Sequence, residues 1–151
     1  MSDSASQHNS AIEQRISELA QQSRVLESYM NDITSRQVAV SRLLDEARTA
    51  STTIQGITSE SDSETLMPIG VGLYLKTIVP PVKKIVVNLG SGVSVEKSRE
   101  DALNFVEARI KEYEVALRQF EAQRQEIAMH MEQLQEQVNQ MLGSAQRSNV
   151  Q

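Results

Sequence analysis

His8 and His130 are the only histidines in a chain of 151 residues that has no cysteine. A metal site needs several ligands at fixed spacings, and neither histidine has a second ligand placed to share an ion. Imidazole catalysis needs a nucleophile or an acid partner, and none stands near either. Both therefore read as solvated surface residues; no metal, no cofactor and no enzymatic activity is expected. Two G-x-G runs, Gly70 with Gly72 and Gly90 with Gly92, would cradle a phosphate only if each led from a strand into a helix beside a basic partner. Neither does, so they read as turn glycines. The methionines are more suggestive, because Met129, Met131 and Met141 place three of the six thioethers in one short stretch. Flexible thioethers suit a surface that accepts many sequences. Met131 and Met141 would also serve as ordinary filling of a helix seam, which leaves Met129, at an outward position, as the sharper pointer to binding.

Composition narrows the class further. An aromatic content of 3% without tryptophan is low for a compact core and predicts an extended, single-domain chain. A formal net charge of −5 and a pI near 5.1 oppose a role held together by phosphate contacts, so no nucleic acid is expected. The start, "MSDSASQHNSAIEQ", lacks the basic and apolar regions of a signal peptide, and no apolar run reaches the roughly 20 residues of a membrane span. With no disulfide chemistry, the expectation is a cytoplasmic protein without a membrane partner.

The elements that would carry a binding surface follow from periodicity. Ile12, Leu19, Leu26, Ile33, Val40, Ala47 and Ile54 recur in heptads, interleaved with Ile16, Ser23, Met30, Gln37, Leu44 and Ser51. Ser10 with Glu13 forms a capping box and Gly56 a stop, predicting a helix over 10–55. A second seam joins Leu103, Ile110, Leu117, Arg124, Met131 and Val138 to Val106, Tyr113, Phe120, Ile127, Leu134 and Met141. The Ser98 cap and Gly143 bound it to 98–142, and each helix would be roughly 65 Å long. Paired antiparallel within the chain, they would set Ile54 against Leu103, Val40 against Leu117 and Ile16 against Met141. Gln37 and Arg124 fall in adjacent layers, where Arg124 is expected to carry its head to water along its apolar stem.

Between the helices lies an acidic loop, "TSESDSE", then strands expected near 65–69, 72–78, 83–88 and 93–96, broken by Pro80-Pro81. Ile85, Val87 and Leu89 should share one face with Val93 and Val95, and Leu73 and Leu75 of the preceding hairpin join them as assembly residues. Two short hairpins are marginal alone, and the seams have no apolar surface left to cover them. The block is therefore read as an oligomerisation module. At the end of the helical hairpin remote from it, Ile12, Ile16 and Leu19 would lie beside Leu134, Val138 and Met141, with Met129, Met131 and Leu142 adjacent, as an apolar clamp.

The order helix, two β-hairpins, helix, with "LMPIGVGLYLK", "KKIVVNLGSGVSVEKS" and "EKSREDALNFVEARIKEYE", resembles the alpha-class subunit of archaeal-type prefoldin over about residues 10–142. Two hairpins rather than one match the alpha and not the beta class. The resemblance implies a mainly α fold, a long antiparallel coiled coil with two β-hairpins that form an oligomeric β-barrel. It further implies a heterohexamer of two alpha and four beta subunits, an ATP-independent holdase that captures unfolded polypeptides at its coil tips and passes them to a group II chaperonin. A structural coiled-coil scaffold of a larger assembly is the alternative reading. The Ser- and Gln-rich tails beyond each helix are expected to be disordered.

Overall fold

A computed structural model describes residues 2–57 and 60–150. Its elements are α1 (Ser2–Gly56), β1 (Ser63–Gly70), β2 (Leu73–Val79), β3 (Lys84–Gly90), β4 (Val93–Ser98) and α2 (Arg99–Asn149). Two long helices thus enclose two antiparallel hairpins, β1 with β2 and β3 with β4, in two separate sheets. Of the expected acidic loop, Thr58 and Ser59 lie outside the described residues, and Ser63 already opens β1.

The helix termini correct the sequence reading. α1 starts at Ser2, so the Ser10–Glu13 pair lies inside a helix rather than capping one. Nothing in "SDSASQHN" is a Gly or Pro, and once the seam has nucleated the helix, propagation through neutral residues costs little. α2 likewise continues through Gly143 to Asn149, since one glycine costs about 1 kcal/mol against alanine. Ser144 and Ser148 satisfy their hydroxyls by donating to the carbonyls of Gln140 and Ser144 at 3.0 and 3.1 Å. Residues 2–9 and 143–149 are therefore helical and not disordered tails. The other two ends follow the local signals: α1 stops at Gly56, and the Ser98 hydroxyl accepts the Asp101 amide at 3.1 Å as an N-cap.

The chain forms two compact units, a terminal one up to Ala39 and from Ala116, and a central one over Val40–Val115. In the terminal unit the seam side chains Ile12, Ile16, Leu26, Met30 and Ile33 of α1 are half-buried, and Leu19 is only 1% exposed. On α2, Leu117, Phe120, Ile127, Met131, Leu134, Val138 and Met141 are half-buried, and their neighbours on the chain are mostly exposed. Half-burial is what a pair of helices can provide, because a seam residue has a partner on one side only. Arg124 departs from its expected solvation: Nη1 donates to Gln37 Oε1 at 3.2 Å and to Glu121 at 3.4 Å, while its Nε is buried without a partner.

In the central unit Leu44, Ser51, Ile54 and Ala102 are buried. The base of the helices is fastened by Arg99, whose Nε donates to the Ile54 carbonyl and Nη2 to the Gln55 carbonyl, both at 2.9 Å. These are terminal α1 carbonyls with no intrahelical donor, and the cation also meets the negative end of the helix dipole. Each hairpin turns on two residues with positive φ, Val71 and Gly72 in the first, Ser91 and Gly92 in the second, as the right-handed twist of the strands requires. Each also carries a bulge just before the turn, at Ile69 and at Leu89.

Candidate functional site

The apolar side chains that the helix seams leave over gather on two surfaces, one in each unit. In the central unit the two hairpins differ. Ile85 and Val87 of β3 line a cleft of about 450 Å³ together with Ala50 and Ile54 of α1 and Ala102 and Phe105 of α2. Small residues at Ala50 and Ala102 let the strand approach the helix pair. The Phe105 ring beside them carries the Lys97 ammonium at 5.8 Å and the Arg109 guanidinium at 5.4 Å, a cation–π arrangement that ties β4 to α2. Ile85, Val87 and Val95 are accordingly half-buried within the chain. This overturns the expectation that the helices have no apolar surface to offer: the patch extends from the seam residue Ile54 onto Ala50, Ala102 and Phe105 beside the seam, where alanines look like ordinary helix surface.

The β1–β2 hairpin has no such cover. Leu66, Met67, Leu73, Tyr74, Leu75 and Ile78 are all exposed. Met67 stands opposite Leu75 in the register, whereas Leu66 is paired with Lys76 and Pro68 with Tyr74. Alternation puts these two sets on opposite faces, so this hairpin is apolar on both. Of the second hairpin, Leu89 and Val93 are exposed as well. Leu89 sits in the bulge between Asn88 and Gly90, where the strict alternation with Ile85 and Val87 breaks. The assembly residues read from the sequence thus separate into a covered group, Ile85, Val87 and Val95, and a bare group, Leu73, Leu75, Leu89 and Val93.

The terminal unit presents a groove of about 540 Å³ along both helices, with Val25, Leu26 and Leu134 among its lining residues. Of the clamp residues read from the sequence, Ile12, Ile16, Met131, Leu134, Val138 and Met141 are half-buried in the seam, Met129 and Leu142 are exposed, and Leu19 is buried. Sequence reasoning missed Val25 and Tyr29, exposed off-seam residues of α1; a lone apolar residue at an outer heptad position was the available signal. His8 and His130 are both exposed, and among the described residues no group of His, Cys, Asp and Glu is arranged to hold a metal. Nor is any described helix long and apolar enough to cross a membrane.

Comparison with known proteins bears on the chain as a whole. Residues 10–144 match the family model for prefoldin subunits. The chain is 37% identical over 136 residues to prefoldin subunit alpha of Nitrosopumilus maritimus, covering 90% of this chain and 94% of that one. It is 31% identical over 100 residues to prefoldin subunit alpha 1 of Thermococcus kodakarensis, covering 66% and 68%. Among solved structures, filamentous PFD from Methanocaldococcus jannaschii, determined by cryo-EM, superimposes with a TM-score of 0.62 over 76% of this chain and 95% of that one, at 20% identity, which speaks for the fold alone.

Proposed function

Because the chain belongs to the prefoldin family, with prefoldin alpha subunits as its relatives, we propose that it is a cytoplasmic chaperone subunit that holds unfolded polypeptides without ATP and delivers them to a group II chaperonin. In this reading the hairpins join beta-class subunits in a complex of two alpha and four beta chains, closing shared β-barrels. Clients are taken by the terminal unit. The observation that carries the reading is the placement of the spare apolar surface. The β1–β2 hairpin is bare on both faces, as a strand module awaiting other subunits must be. The paired helix ends offer only small, broken apolar areas, which favour weak capture over stable association.

The clamp works by fraying. Ile12, Ile16, Leu134, Val138 and Met141 are half-buried between the helices, and opening the last turns exposes them to a client beside Met129 and Leu142. Each side chain so covered contributes roughly 1.5–3 kcal/mol before ordering costs, so one subunit binds weakly and several together hold by avidity. Leu19, fully enclosed, lies level with Val138 in this register and is uncovered before the opening reaches Leu134.

The test is suppression of aggregation of a chemically denatured protein by the complex with a beta-class subunit, with no nucleotide present. Removal of residues 2–19 and 134–151 should abolish suppression and leave the complex intact by native mass measurement. An intact truncated complex that still holds its clients at full capacity would move capture to another surface and sink the reading.

A further inference from the structure

The terminal groove is walled by amides. Besides Val25, Leu26 and Leu134, it is lined by Gln21 and Gln22 of α1 and Gln133 and Gln137 of α2. None of these four carboxamides makes a hydrogen bond within the described residues, which leaves them free to pair with a ligand; of the unit's described glutamines only Gln37, Gln125 and Gln135 are engaged, with Arg124, Glu121 and Asn139. The composition is polarised in the same sense: 14 of the 15 glutamines lie outside residues 40–115, Gln55 being the exception.

We infer that this groove binds the backbone of an extended, unfolded polypeptide, the four glutamine amides pairing with its peptide N–H and C=O groups while Val25, Leu26 and Leu134 take whatever apolar side chain lies between. The inference rests on the client-holding reading and specifies its chemistry. A carboxamide carries two donors and an acceptor with two lone pairs on a flexible stem, the same set that a peptide unit presents in complementary form. Every unfolded chain shows those groups whatever its sequence, so amide pairing adds affinity without adding selectivity. A rim of charged side chains would instead sort clients by charge, and Glu18 and His130 are the only ionisable residues that line the groove. The pairing also reverses readily, because each such bond replaces one to water and gains little net free energy. That suits a holder that must release its client.

The measurement compares two unstructured probes of about twelve residues, one Ala/Leu/Gly peptide and its backbone N-methylated counterpart, which has the same side chains but lacks donors. Binding to the full-length chain in its assembled form is followed by fluorescence anisotropy. A photo-reactive group on each probe reports whether it contacts residues 18–26 and 130–137. The unmethylated probe should bind about tenfold tighter, equivalent to about 1.4 kcal/mol. The variant Q21M/Q22M/Q133M/Q137M keeps side-chain length and helix propensity and should bring the two probes within about twofold. Q21E/Q22E/Q133E/Q137E, which keeps the acceptors, should retain the preference; circular dichroism checks that both variants stay helical. Equal binding of the probes to the wild-type chain, or an undiminished preference in the methionine variant, overturns backbone recognition and leaves client capture standing. If neither probe binds while the complex still suppresses aggregation, the groove proposal alone fails. If suppression is absent too, the client-holding reading falls with it.

Discussion

Arg99 closes the base of the helical pair with a single guanidinium on two α1 carbonyls. Hydrogen bonds to charged groups contribute about 1.5–3 kcal/mol each at the upper end, and the partial exposure of this side chain reduces that. Arg99→Ala is expected to lower unfolding stability by about 1–2 kcal/mol, and Arg99→Lys, which cannot span both carbonyls, to recover less than half of the loss. Equal urea midpoints for the wild-type chain and the alanine variant would show that water satisfies those carbonyls as well. Val71 is the opposite case. It is a β-branched residue at φ 51, fully exposed in the first turn, where Asn or Gly is favoured. Val71→Asn should raise the midpoint by the equivalent of about 1 kcal/mol. A fall in stability confined to the assembled complex would instead identify Val71 as an intersubunit contact.

At the scale of elements, what the sequence disclosed was what is local. Heptad spacing marked the half-buried seam positions of both helices as far as Met141, because a residue's place on a helix face depends only on its number. The Gly-containing turns marked the hairpins for the same reason. Three features could not be read that way. The cleft of Ala50, Ala102 and Phe105 against β3 needs partners distant in sequence. The Arg99 clamp joins residues 45 apart. The helix ends at Ser2 and Asn149 lie where helix, once formed, propagates past a cap-like serine and a glycine. Arg124 shows how a seam residue departs from its heptad role, since a desolvated Nε is set against the bonds of Nη1 to Gln37 and Glu121. Replacing a poorly satisfied buried cation by an apolar side chain of similar length is often stabilising by 1–4 kcal/mol. Arg124→Met is thus expected to raise the melting temperature, with a gain of about 1 kcal/mol given the side chain's partial exposure. A lower melting temperature would mean that the bonds to Gln37 and Glu121 outweigh the buried Nε, and would recast this layer as one that fixes register.

At the scale of the whole molecule the two hairpins make different demands on assembly. β3 and β4 cover part of their inner face with their own helices, so a charge there damages the subunit itself. β1 and β2 expose Met67 and Leu75 on one face and Leu66, Tyr74 and Ile78 on the other, and an isolated two-stranded hairpin of this kind is marginal in water. In the proposed complex its burial comes from neighbouring chains. Leu75→Asp would desolvate a carboxylate at such an interface, at a cost of several kcal/mol, but at no cost to the free subunit, where position 75 is exposed. Val87→Asp places its charge in the cleft against Ile54 and Phe105. On mixing with a beta-class subunit, Leu75→Asp should therefore remain unassembled by native mass measurement while keeping wild-type helicity and melting temperature as a free chain. Val87→Asp should lose both assembly and several degrees of melting temperature, corresponding to about 1–3 kcal/mol. Full assembly of the Leu75→Asp chain would show that β1 and β2 are not the joining surface, and equal melting temperatures for the two free variants would deny the docking of β3 on the helices.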